Sequence, residues 1–305
     1  MKRVLFQPFD LYRWLVIGFT AWLASLGEWS GGSGGGGAGG GGRGTGTIGN
    51  PGPLELWEDA RSYVFENFVW LVPTAILVVI VVVALGVLIL WLSSRGRFMF
   101  LHNVARNQAD IVAPWHAYRQ HGNSLFLFRL VVAVIGFVLS VPFLVLLGLA
   151  SLPMIRSESF IPGAVLVVLG AGLGLILIAI AFALIEKLTK DFVVPIMWLR
   201  QPSCLEAWKE FRALLRPRLG DFALYILFHI LLTVGAGVLI LLVAIMTCCI
   251  AGCLFALPYL GTVFLLPVFV FFRSYSLLYL VQYGPEYNVF HPQPAPFAGQ
   301  TPAGS

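Results

Sequence analysis

Residues Asp191 to Asp221 read DFVVPIMWLRQPSCLEAWKEFRALLRPRLGD, a charged interruption in a chain that is otherwise nearly all apolar. Its second half carries the marks of a helix start and stop. Ser203 and Glu206 stand in the Ser-x-x-Glu spacing of a capping box, where each side chain satisfies the other's backbone N–H, and Pro217 cannot continue a helix interior. The pattern predicts a helix from Cys204 to about Arg216. Leu205, Trp208, Phe211 and Leu215 then recur at helical spacing on one side, while Glu206, Lys209, Glu210 and Arg216 face away. A helix divided in this way lies on a surface, over acyl chains or over neighbouring helices of the same protein, and Lys209, Arg212 and Arg216 supply cations for a headgroup layer.

The opening of the stretch occurs twice. Asp110-Ile-Val-Ala-Pro114-Trp-His-Ala-Tyr-Arg119-Gln120 aligns without gaps on Asp191-Phe-Val-Val-Pro195-Ile-Met-Trp-Leu-Arg200-Gln201, with Asp, Val, Pro, Arg and Gln in register. Each copy follows a long apolar run, and another begins after Gly122-Asn123 or Gly220-Asp221. This predicts a duplicated unit of span, connector and span, with the surface helix inserted only in the second copy. Asp110, Arg119, Asp191 and Arg200 are its equivalent polar residues. They either pair to lock the connectors or, in a sharper reading of the two carboxylates, relay protons.

A mean hydropathy of +0.89 and a charged fraction of 11% exclude an ordinary soluble domain, in which about a quarter of residues are charged. The expected fold is all-α, a polytopic transmembrane helix bundle. A net charge of +5 does not indicate nucleic acid, because the basic residues follow the ends of apolar runs and form no single soluble patch. Anionic lipid is the expected counter-charge.

Taken in order, residues 1–29 form an N-terminal membrane anchor. The small residues around Ser25 and Gly27 keep a cleaved signal peptide as the alternative, and Asp10 and Arg13 favour retention. Residues 30–53 are a Gly-rich flexible linker, and 54–68 resume helical periodicity as a second interfacial helix. Five further spans are predicted at Val69–Leu92, Leu125–Leu152, Ile161–Ile185, Phe222–Ile250 and Ala251–Phe272, about six in all, with connectors at 93–124 and 186–221 inside a helical domain of 54–283. The break between the last two is placed near Gly252. Pro73, Pro142, Pro258 and Pro267 predict kinks, Gly170-x-x-x-Gly174 predicts one close helix crossing, and the Pro-rich tail of 284–305 is expected to be disordered.

Charge sets the expected orientation. With the amino terminus in the cytosol, the internal segments 1–13, 93–124 and 186–221 hold three, four and seven Lys or Arg, fourteen of the nineteen; the external ones hold Arg43, Arg61 and Arg156. Both termini are therefore expected inside a cell (inner) membrane, and the duplicated units run in the same direction.

Catalytic chemistry needs ionisable groups set against each other, and the spans supply almost none. His229 is the one titratable residue well inside a span; His102, His116, His121 and His291 lie in connectors or the tail, so a haem would lack its second ligand. No His-Glu-x-x-His, Gly-x-Ser-x-Gly or Walker lysine occurs, and Cys204, Cys248, Cys249 and Cys253 have no CxxC spacing. No catalytic residue, cofactor or metal site is expected.

The passage DFVVPIMWLRQPSCLEAWKEFRALLRPRLGDFALYILF resembles uncharacterised bacterial polytopic proteins related to the membrane domain found beside glycerophosphodiester phosphodiesterases. The resemblance rests on a connector with Pro195, a basic helix containing Ala207-Trp208 and a following span, over about Trp91 to Tyr283. The phosphodiesterase domain has no counterpart here, so the resemblance implies location and architecture and no hydrolase residues. The expected function is a non-enzymatic scaffold, complex subunit or lipid-interacting protein, with anionic lipid and a protein partner or second copy as partners. The alternative is a transporter or channel for a lipid-like or weakly polar solute.

Overall fold

In the computed structural model, residues 11–29, 68–157, 162–200, 202–247 and 258–290 are described. They form α1 (Leu11–Trp29), α2 (Phe68–Arg106), α3 (Val112–Ala117), α4 (Arg119–Ser157), α5 (Pro162–Leu188), α6 (Val194–Arg200), α7 (Cys204–Leu215), α8 (Leu219–Met246), α9 (Pro258–Phe264) and α10 (Leu266–Val281). The Gly-rich linker, the second interfacial helix up to residue 67, Cys248, Cys249, Cys253, the break near Gly252 and the tail beyond residue 290 lie outside the described residues.

The fold is all-helical. Four stretches, Val69–Arg106, Arg119–Ser151, Pro162–Arg200 and Cys204–Val243, are long and apolar enough to cross a membrane, and their most apolar parts are at most 6% buried by the rest of the protein. Side chains such as Leu77, Phe137, Leu177 and Leu231 point outward, which in water would leave a large apolar surface uncovered and in a bilayer meets acyl chains. These stretches cover most of four of the six expected spans. Of the last expected span, Ala251–Phe272, the described part from residue 258 on is divided at Leu265 into α9 and α10. Pro267 sits in the first turn of α10, where the missing N–H leaves no bond unmade, so this proline starts a helix where a kink was expected.

The chain divides into two compact units. The second comprises the described parts of Leu26–Leu92 and Phe126–Lys187. Within it α4 and α5 run as an antiparallel hairpin: Arg129 donates to Glu186 at 2.7 Å, and an added Cβ at Gly136 or Gly174 would press on Phe182 or Phe143. Of the pair expected to make a close crossing, Gly174 approaches α4 closely at Phe143, while a Cβ at Gly170 would meet nothing within 4 Å among the described residues.

The first unit gathers the described parts of Met1–Ser25, Ser93–Leu125 and Leu188–Ser305. In it α1 is a packed element, with Ile17, Ala21 and Ala24 buried against Phe100, Val104, Leu266 and Val270. Arg13 donates to the backbone and side-chain oxygens of Asn107. Asn107 ends α2 in the left-handed conformation (φ 53°), and the Gln108 N–H closes back on the Asn103 carbonyl, the helix stop that asparagine tolerates better than most residues.

The two copies of the repeated motif adopt different backbones. In the first, the chain leaves α2, the Asp110 carboxylate accepts from the Val112 N–H at 3.1 Å, and the short α3 follows. In the second, the helix continues from α5 through one π turn at Thr189–Val193 into α6. Pro195 supplies the reason: its ring crowds the carbonyl four residues back, that of Asp191, and a widened turn relieves the clash without ending the helix.

The capping box forms as the sequence predicts. Ser203 N–H donates to Glu206 Oε2 at 2.9 Å and Glu206 N–H to Ser203 Oγ at 3.4 Å, so α7 starts at Cys204. Ser203→Ala is expected to cost about 1 kcal/mol, read as a lower unfolding midpoint in detergent, while Ser203→Asp stays close to the native value.

Candidate functional site at the connector core

The first unit centres on rings. Phe192, fully buried in the π turn, stacks on Phe211 of α7 (centroids 5.2 Å, 9° between planes) and meets Phe222 and Tyr225 of α8 edge-on at 5.2 and 5.1 Å. Phe222 lies flat on Tyr283 at 5.3 Å, Tyr225 approaches Tyr279 at 4.6 Å, and His229 packs on Phe272 at 4.8 Å. Such pairs contribute about 0.5–1.5 kcal/mol each beyond their buried area, so this cluster is what holds α7, α8 and α10 to the π turn.

Polar groups are built into the same wall. Asp191 is only 5% exposed, and its Oδ2 accepts from the Tyr225 hydroxyl at 3.0 Å. Arg273, equally buried, donates to the Lys190 carbonyl at 2.7 Å, which satisfies an oxygen of the π turn. The expected pairing of Asp191 with Arg200 does not form the lock. Arg200 instead pairs with Glu210 at 3.1 Å and lies over the Tyr287 ring at 5.1 Å, while Tyr287 donates to the same Glu210 oxygen at 2.7 Å. Burial, and then the Glu210 carboxylate beside it, push the Tyr287 hydroxyl up to about 12. The residues just past Tyr283 are therefore structured where disorder was expected: Pro285–Tyr287 form a 3-10 turn, and Tyr287 and Val289 are buried.

Of the residues singled out from sequence, Phe211 is wholly enclosed by the protein, together with Cys204 and Ala207. Trp208 and Leu215 are partly covered, and Leu205 is 65% exposed, so the buried side of α7 is turned away from Leu205. Ala207, fully buried, lies on that enclosed side. Lys209, Arg212 and Arg216 are exposed. Asp110 and Arg119 are exposed as well.

The first connector forms its own cluster. The Arg95 guanidinium lies over Trp115 at 4.9 Å and donates to Asn123 at 3.2 Å, and Tyr118 stacks on Phe98 at 6.0 Å within reach of His102 Nδ1 at 3.2 Å. Burial raises the Tyr118 hydroxyl above its ordinary value. Among the described residues no group of three or more His, Cys, Asp or Glu is placed to hold a metal ion.

Between α8 and α10 lies an open groove of about 250 Å³, lined by Arg218, Asp221, Leu224, Tyr225 and Phe228 on one side and by Tyr275, Tyr279, Gln282 and Tyr283 on the other. Sequence reasoning did not single these residues out. The available signal was Tyr275, Tyr279 and Tyr283 at intervals of four, one face of a helix, in a segment read as lying between the last span and a disordered tail.

A family model described as a family of unknown function, DUF7544, matches residues 1–266. The chain belongs to DUF7544. In this DUF7544 chain the match takes in α1 to α9 and the connector core up to the first residue of α10, while Arg273 and the tyrosines at 275, 279 and 283 lie past its end. No curated protein and no solved structure matches the chain. With four helices able to cross a bilayer among the described residues, this member of DUF7544 is a membrane protein.

Proposed function

We propose that this protein is a non-enzymatic, lipid-interacting component of the bacterial inner membrane whose connector core presents a basic stripe to anionic headgroups on the cytosolic side. One observation carries the reading. Leu205, Lys209, Arg212 and Arg216 follow each other at i, i+4, i+7 and i+11, all exposed, while Cys204, Ala207 and Phe211 hold the other side of the helix against the protein. The stripe is thus rigidly mounted, with its cations free of the packing. The same charge bias, fourteen of nineteen basic residues in the segments assigned to the cytosol, supports the orientation with both termini inside. The duplicated connector motif and the likeness to the membrane domain found beside glycerophosphodiester phosphodiesterases fit this reading as architecture.

The test is lipid retention. The full chain is placed in nanodiscs of mixed anionic and zwitterionic lipid, partly delipidated, and weighed intact by native mass spectrometry. Alanine at Lys209, Arg212 or Arg216 is expected to lower the retained anionic lipid about fivefold each, from roughly 1 kcal/mol per surface cation. Unchanged retention in the triple variant would overturn the role of the stripe. Solute flux through reconstituted vesicles, insensitive to these three changes, would favour the transport reading instead.

A further inference from the structure

The groove between α8 and α10 changes character along its length. Arg218, in the 3-10 turn before α8, and Asp221, in the first turn of α8, stand at one end; Leu224 and Phe228 follow on the same side of the helix. The opposite wall runs the other way, Gln282 and Tyr283 beside the charges and Tyr279 and Tyr275 further in, in the antiparallel register set by the Phe222–Tyr283 and His229–Phe272 contacts. From 218 to 228 the wall extends about 15 Å at the helical rise, charged at one end and apolar at the other. That is the order in which a phospholipid presents headgroup and chain, and α8 is itself one of the helices able to span.

Both signs of charge are present at the polar end. The Arg218 guanidinium lies over the Tyr283 ring with 5.4 Å to its centroid, and Asp221 is exposed one turn along. A purely anionic headgroup would meet the Asp221 carboxylate, and a purely cationic one the guanidinium. A headgroup carrying phosphate and ammonium together satisfies both, and a primary ammonium, unlike a quaternary one, keeps N–H groups to donate to the Asp221 carboxylate. At about 250 Å³ the groove is smaller than the roughly 300–1,000 Å³ of sites that enclose a drug-sized ligand. It takes a headgroup and the start of one chain and leaves the rest in the bilayer.

We propose that this groove binds one zwitterionic phospholipid with a primary ammonium headgroup, its phosphate on Arg218, its ammonium between Asp221 and the tyrosine faces, and an acyl chain along Leu224 and Phe228. The site shares with the proposed function only the premise that the chain lies in a membrane. Its residues are not those of the stripe.

The experiment uses the full chain in nanodiscs containing phosphatidylethanolamine, phosphatidylcholine and phosphatidylglycerol, with lipids retained after mild delipidation identified by native mass spectrometry. One phosphatidylethanolamine per chain is expected to outlast the others. Arg218→Ala is expected to lower its retention roughly tenfold, the loss of one hydrogen bond to a charged group. Asp221→Asn is expected to switch the preference to phosphatidylglycerol, since the guanidinium stays and the carboxylate does not; a merely structural residue would produce no such switch. Unfolding midpoints within the native range keep both variants interpretable. Triple alanine at Lys209, Arg212 and Arg216 is expected to leave this retained lipid in place, so the two sites fail separately. The proposal is overturned if the native chain shows no preference among the three lipids, if either variant retains phosphatidylethanolamine unchanged, or if soluble phosphoethanolamine displaces the lipid at equal concentration, which would make the free headgroup the ligand.

Discussion

Alanine at Phe192 is expected to remove about 3–5 kcal/mol of stability, the range for deleting a fully buried aromatic ring. The ring is 0% exposed and touches Phe211, Phe222, Tyr225 and Tyr279, so its loss leaves a cavity bordered by four rings that belong to three different helices. None of those rings can close the gap without giving up another contact. The measurement is the unfolding midpoint of the purified protein titrated with denaturing detergent. Leu205→Ala, on the exposed side of α7, is expected to stay within about 0.5 kcal/mol of the native protein. If the two variants unfold together, the cluster is not what joins α7, α8 and α10.

The second large effect is expected at Gly96. A Cβ built there lies 2.7 Å from the Ala24 nitrogen and 2.7 Å from the Leu23 carbonyl carbon, backbone atoms that have no rotamer to retreat to. Helices α1 and α2 meet here almost backbone to backbone, and beside the contact Ser93 donates to the Ala24 carbonyl at 3.0 Å. Gly96→Leu is therefore expected to cost the upper part of the roughly 1–3 kcal/mol range for overpacking, or more, and to pry α1 off the unit. Hydrogen exchange over residues 16–24 reads this directly, with protection falling in the variant. Gly170→Leu is the matched control: its Cβ would meet nothing within 4 Å, so little change is expected. Equal effects of the two substitutions would show that α1 is not seated on Gly96.

The contrast between these glycines shows where sequence reasoning stopped. Gly170 and Gly174 announce themselves by spacing, yet spacing says only that two small residues share a helix face, and a Cβ at Gly170 meets nothing within 4 Å among the described residues. Gly96 stands alone between Arg95 and Arg97, with no small residue four positions away to mark a helix contact. In the same way α7 was legible because its start is local: Ser203 and Glu206 are three residues apart and each completes the other. Which side of α7 is buried was not, because that depends on where Phe192 and Phe222 arrive from other parts of the chain. The groove was missed for the same reason, its two walls coming from positions about fifty residues apart.

What the sequence by itself determined is the solvent and the local punctuation. Long uncharged runs can only be helices where no water is present to satisfy the backbone, and capping residues act on neighbours within one turn. What only the tertiary structure decided is which groups meet: the π turn carrying Asp191 to Tyr225, the transfer of Arg200 to Glu210 and Tyr287, and the tyrosine wall of the groove. Inside a bilayer almost every residue of a span is apolar, so hydrophobic patterning, the signal that assigns faces in a water-soluble fold, is nearly silent. The choice of partners falls to shape and to a few polar atoms whose positions become visible only when the helices are assembled.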